Sequence, residues 1–201
     1  WVNGGTNKTY TFSGLTQGTA YNIQARVTSN SGKASTSSKS VTTSSLAKPT
    51  FSESGTTNKT VTVTYPSGCG SSLTCTYQKD NGSTVNVTSS SVKVSFTDSG
   101  DLKATISDGT NTVSSSYTVK IGRTVTYNYS TNGGTASTKT TATVEEGSAI
   151  DLTPTATKSG WTFVGWNTNK NATSALSSLT MGDSNVTLYA IYRKEAKTIT
   201  I

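Results

Sequence analysis

The feature that most constrains this chain is a two-residue alternation of apolar side chains with Thr and Ser, repeated in short runs along most of its length. Tyr21, Ile23, Ala25 and Val27 fall on one side of an extended segment, and Asn22, Gln24, Arg26 and Thr28 on the other. The pattern returns at Val61, Val63 and Tyr65, at Leu73, Cys75 and Tyr77, and at Val85 and Val87. It continues at Val92, Val94 and Phe96, at Leu102, Ala104 and Ile106, and at Tyr117, Val119 and Ile121. Turn signals separate the runs: "PSGCG", "KDNGS", "TDSGD" and "SDGTN". Helical spacing is almost confined to residues 174–182, "SALSSLTMG", where Leu176 and Leu179 could share one or two turns. The expected class is therefore all-β to mainly β.

Alternation also explains how so polar a chain can fold. Its hydrophobic content is 31%, a level that by itself suggests disorder. If each strand dries only one face, few apolar residues suffice, and β-branched Thr suits the wet face. The cores must then be thin and divided among several small units of roughly 50–80 residues. Punctuation places them. Pro49 in "SSLAKPTFS" ends one pattern, and Gly122 in "YTVKIGRTVTYNY" separates two more. The expected units are residues 1–46, 47–121 and 122–194, with 195–201 a tail or the start of another segment. The chain begins at Trp1 and ends in a strand-like "TITI", so it reads as an excerpt of a longer protein.

Three resemblances follow from local motifs. "GLTQGTAY" resembles the corner before a late strand of fibronectin type III domains, where a Leu precedes by six residues a Tyr whose hydroxyl bonds to upstream backbone. The resemblance gives those places to Leu15 and Tyr21 and makes residues 1–46 the C-terminal part of such a domain. Residues 47–121, with about seven short strands, resemble a bacterial immunoglobulin-like sandwich. Residues 122–194 resemble the Listeria–Bacteroides, or internalin-type B, repeat. That likeness rests on Asn132-Gly133-Gly134, Gly147, Pro154, the run Gly160-Trp161-Thr162-Phe163-Val164-Gly165-Trp166, and Leu188-Tyr189-Ala190. It implies a compact β-grasp-like unit. Tyr192 departs from the pattern, which carries Trp there, and brings a hydroxyl that needs a partner or water. The architecture expected is thus tandem immunoglobulin/fibronectin-like sandwiches followed by a small β-grasp-like repeat module.

Two of the chain's three Trp lie within the segment "GWTFVGW". In a regular strand Trp161 and Phe163 share a face, and Gly165 can mark a bulge that re-aims Trp166. Rings of 150–250 Å² each are worth several kcal/mol at about 25 cal/mol/Å². In so small a unit they read as the core: Trp161, Phe163, Trp166 and Tyr189, with Trp161→Ala expected to cost about 3–5 kcal/mol. The competing reading is an exposed platform for carbohydrate or peptide.

The chemistry available is meagre. The chain has no histidine, which removes the commonest general base and metal ligand. Glu145 and Glu146 are neighbours whose side chains diverge in an extended segment, so they do not form an acid/base pair. Asp98, Asp101 and Asp108 sit in turns and lack the alternating acids of a calcium loop. Cys69 and Cys75 have no further soft ligands for a metal and lack the two-residue spacing of a redox pair, so they are expected to form a disulfide in an oxidising compartment. No catalytic, cofactor or metal site is expected. The net charge of +7 is carried by scattered cations, among them Arg26, Lys33, Lys39 and Lys48, and these form no nucleic-acid surface. No apolar run is long enough to span a membrane.

The resemblances imply a non-catalytic extracellular segment of a bacterial surface or secreted protein, acting as stalk or adhesive array. Neighbouring modules of the same chain, and a host surface protein or glycan, are its expected partners. The alternatives are accessory modules of a large secreted glycan-degrading enzyme, or a dedicated carbohydrate- or host-protein-binding module.

Overall fold

The structure is a computed structural model that describes residues 9–16 and 18–196. Every regular element among them is a strand. The expected segment 195–201 lies outside the described residues beyond Ala196.

The first element is a lone antiparallel hairpin of β1 (Ala20–Thr28) and β2 (Ala34–Thr42), with Tyr21 opposite Val41 and Val27 opposite Ser35. Ser29 N–H donates to Lys33 C=O at 2.8 Å across the turn. Both strands are largely exposed, and Val27 and Val41 face solvent. Tyr10 and Phe12, which alternate with Thr like strand residues, form no strand; they are exposed and pack edge to face at 5.0 Å. Alternation creates a strand only where a neighbour takes its backbone bonds, and no described segment does so here.

Seven strands follow in two antiparallel sheets. The first contains β3 (Thr50–Gly55), β4 (Lys59–Thr64) and β7 (Ser91–Phe96) in the order β3-β4-β7. The second contains β5 (Thr74–Lys79), β6 (Val85–Val87), β8 (Gly100–Ser107) and β9 (Thr112–Val119) in the order β6-β5-β8-β9. Residues predicted inward by period two meet in one core: Val61, Val63, Tyr65, Cys75, Val94, Phe96, Leu102, Ala104, Ile106, Val119 and Ile121. Tyr65 is the polar exception. Its hydroxyl donates to Thr76 C=O at 2.8 Å, and burial pushes its pKa up to about 12.

The last part is a mixed four-stranded sheet ordered β12-β10-β15-β14. Its strands are β10 (Gly122–Asn128), β12 (Thr141–Glu145), β14 (Trp161–Asn167) and β15 (Val186–Lys194); β10 and β15, first and last in sequence, are parallel neighbours. A short pair, β11 (Ala136–Ser137) and β13 (Ala156–Thr157), stands beside it. No helix covers the sheet among the described residues. The helical spacing at 174–182 is not used as a helix. Leu176 N–H donates to Trp166 C=O and Ile150 N–H to Leu179 C=O, both at 2.8 Å, so the backbone groups of this segment are committed to other segments. Leu176 and Leu179 still pack on the core, which holds Val125, Tyr127, Ile150, Ala156, Trp166, Met181, Leu188 and Ala190.

Candidate functional site

Two places bring side chains from distant parts of the chain together. The first is the joint between the seven-stranded sandwich and the mixed sheet. Only Lys120 and Ile121 separate β9 from β10. Ile121 is fully buried in the sandwich core, while its C=O accepts from Glu146 N–H at 3.0 Å. Its N–H donates to Ser99 Oγ at 2.9 Å, and that hydroxyl in turn donates to the Glu146 carboxylate. Gly122 N–H donates to Thr56 C=O at 2.9 Å. A Cβ at Gly122 would lie 2.7 Å from Thr143 Cγ2 on the neighbouring strand of its own sheet and 3.3 Å from Thr56 O across the joint, so the backbones approach closely where no side chain stands.

Charges lock this contact. Lys59 Nζ lies 2.9 Å from Glu53 Oε1 in its own sheet and 2.6 Å from Glu145 Oε1 across the joint. The Lys59 side chain is only 4% exposed. Burial pulls the ammonium down, but its bonds to Glu145 and Glu53 outweigh burial and leave its pKa raised. The bond from Lys59 holds the Glu53 carboxyl below its ordinary range. Arg123 Nη2 donates to Asp98 at 2.9 Å across the same joint, and this bond likewise depresses Asp98. Glu145 and Glu146 diverge as expected of neighbours in an extended segment, and each meets a different group of the sandwich.

Sequence reasoning missed Lys59. The signal was present: Lys59 is two residues before Val61 and four before Val63, so the same alternation aims it inward. Its partner Glu145 is 86 residues away, and no local pattern links the two.

The second place is the aromatic segment. The bulge expected at Gly165 is present: Phe163 pairs with Tyr192, and Gly165, not Val164, pairs with the next residue, Ile191. Gly165 has φ 141°, and a Cβ on it would stand 2.5 Å from Ala175 Cβ. The extra residue brings Trp166 to the face of Phe163, which two residues of regular strand between them would prevent. Trp166 is 1% exposed and meets Tyr127 at 5.2 Å and Phe163 at 5.5 Å, both edge to face. Its Nε1–H donates to Pro154 C=O at 2.6 Å, which satisfies the buried indole.

The other residues of this group part company. Phe163 is half-buried against the core, whereas Trp161 and Tyr189 are half-buried outside the core cluster. Tyr189 alternates with the inward Leu188 and Ala190 and so points away from them. Trp161 opens β14, an edge strand of the sheet, with no strand beyond it among the described residues. Trp166 thus sits in the buried cluster with Phe163 packed on it, while Trp161 and Tyr189 lie half-buried outside it.

Trp161 lines an open cleft with Asn132, Lys158, Lys170, Asn171, Ala172, Ile191 and Tyr192. Lys158 Nζ lies 4.0 Å from the indole centroid and donates to Asn132 C=O at 2.7 Å. Asn132 Nδ2 donates to Lys170 C=O at 3.0 Å and to Ala190 C=O at 2.9 Å. The Asn of the Asn-Gly-Gly motif thus pins the 169–172 turn to β15. The Tyr192 hydroxyl is buried without a hydrogen-bond partner, and burial raises its pKa. It occupies the space left by Gly134, where a Cβ would stand 2.1 Å from it.

Outside these places, Leu15 is half-buried, and Thr16 N–H donates to the Tyr21 hydroxyl at 2.8 Å. Cys69 and Cys75 form a disulfide with Cα atoms 5.4 Å apart. It staples the loop that crosses from β4 in one sheet to β5 in the other.

Residues 124–191 match the sequence profile of the Listeria-Bacteroides repeat domain, so the match covers the mixed sheet and its loops. Neither a curated protein nor a solved structure matches the chain.

Proposed function

We propose that this chain is a non-catalytic, extracellular spacer within a bacterial surface protein, built to hold neighbouring parts at a fixed distance and angle. The repeat matched by residues 124–191 belongs to a family of surface-protein modules. The disulfide favours an oxidising compartment.

The observation that carries the reading is the joint. A flexible tether places a long Gly/Ser-rich linker between units. Here two residues connect the units, and a buried lysine, two further side-chain bonds and a close glycine contact brace them. A spacer that transmits reach or force depends on such a brace.

Residual dipolar couplings or small-angle scattering on the whole chain test this. The sandwich and the repeat unit are expected to share one alignment tensor. The double variant K59M/R123Q removes both charged locks, and the units are then expected to reorient independently. Independent tensors in the unmodified chain would refute the spacer reading.

A further inference from the structure

The cleft beside Trp161 gathers unlike chemistry on one open surface. The cleft is open to solvent, with a volume of about 250 Å³, and no carboxylate lines it. We propose that it binds a saccharide bearing a carboxylate, such as a uronic acid unit, with Lys158, which lies over the Trp161 and Tyr192 rings, and Lys170 meeting the anion, and with Asn171 and Trp161 beside the sugar.

Lys158 is already positioned. Its ammonium is held by the indole at 4.0 Å and by Asn132 C=O at 2.7 Å. An ammonium has three donors, so hydrogen remains for an incoming carboxylate, and such charge-assisted bonds are the strong ones. Lys170 supplies a second positive charge from an exposed turn whose backbone Asn132 fixes. Lys158 loses little freedom on binding because it is pre-placed, and that keeps the cost of association down.

Size and shape select the class. A volume of about 250 Å³ is below the roughly 300–1,000 Å³ of sites for drug-sized ligands. The surface is open and polar at the rim, with Asn171 exposed beside the rings. It offers no closed apolar pocket to anchor a peptide side chain. A pyranose has what is present here in mirror image: C–H edges for a ring, hydroxyls for amides, and in a uronic acid one carboxylate for a lysine pair.

Isotope-labelled whole chain titrated with a glucuronic acid oligosaccharide tests the proposal. A neutral glucose oligomer and triglutamate serve as controls. The Trp161 indole N–H resonance is expected to shift with the acidic sugar, with a Kd near about 1 mM or tighter. The Trp166 indole, locked to Pro154, is expected to stay in place. K158Q and K170Q are each expected to weaken binding about tenfold. The Lys170 side chain is exposed, so K170Q remains decisive even if K158Q disturbs the fold; an unmoved Trp166 resonance reports an intact unit. An unmoved Trp161 resonance overturns the proposal, as does binding unaffected by K170Q. Equal binding of the glucose oligomer or of triglutamate removes the acidic-sugar specificity and overturns it as well. The joint takes no part in this titration, so its outcome is independent of the spacer reading.

Discussion

The sandwich and the repeat unit solve the same shortage of apolar residues in opposite ways. The sandwich spreads its core over seven strands as Val, Ile, Leu and Ala, with Phe96 and Tyr65 its only buried rings. Each residue follows from period two, and no single one dominates. The repeat unit places its weight on Trp166, packed edge to face with Tyr127 and Phe163, and needs a bulge at Gly165 to bring that indole inward. A distributed core tolerates local loss. A core built around one large ring depends on the few residues that aim it.

The sharpest way to break this comparison is Trp166→Ala. Removing a fully buried indole that also satisfies Pro154 is expected to cost about 3–5 kcal/mol and to unfold residues 122–194 first, seen as an early transition in thermal melting. In the sandwich, Ile106→Val should cost only about 0.5–1.5 kcal/mol. Equal losses would mean that the two cores do not differ in kind.

Gly165→Ala comes next. It adds one methyl group where φ is 141° and Ala175 Cβ stands 2.5 Å away. The expected loss is about 2–3 kcal/mol, confined to the repeat unit, with the Trp166 indole resonance displaced. The reverse selectivity is expected for Cys69→Ser with Cys75→Ser, which removes about 2 kcal/mol from the sandwich alone. Urea denaturation followed by the Trp166 signal should not register it.

Trp161→Ala, whose cost would match that of Trp166 if both indoles were core, is expected to cost about 1–2 kcal/mol, because the ring is only partly buried, on an edge strand outside the core cluster. A loss near that of Trp166→Ala would make the repeat core larger than its buried cluster.

The smallest effect sits between the two regions. Across the joint, Asp98 has a folded-state pKa below its ordinary value of 3.8, and within the sandwich the Lys59 partner Glu53 lies below its ordinary value of 4.5. Their contribution is complete above that range and is lost as pH falls through the depressed values. Lys59 has a raised pKa, so its contribution persists through the ordinary lysine value of 10.5 and fades only above it. Coupled motion of the two units is therefore expected at neutral pH and looser motion in acid, once pH falls through the depressed Asp98 value, measured by the same dipolar couplings. Coupling unchanged after Asp98→Asn would assign the brace to Lys59, Gly122 and the backbone contacts instead.

The sequence by itself determined the all-β class, the inward residues of the sandwich and the bulge at Gly165, because each depends on spacing of a few residues within one strand. It also placed the cysteines within reach of one another. It misassigned what depends on neighbours. Leu176 and Leu179 have helical spacing without a helix, and Trp161 has a core residue's chemistry at an edge position. Only the tertiary structure decided which strand became an edge, which sheets the disulfide loop spans, and that Lys59 meets Glu145. The physical reason is range. Backbone periodicity is set by sterics over a few residues, whereas burial and ion pairing are set by whatever distant segment comes to lie alongside.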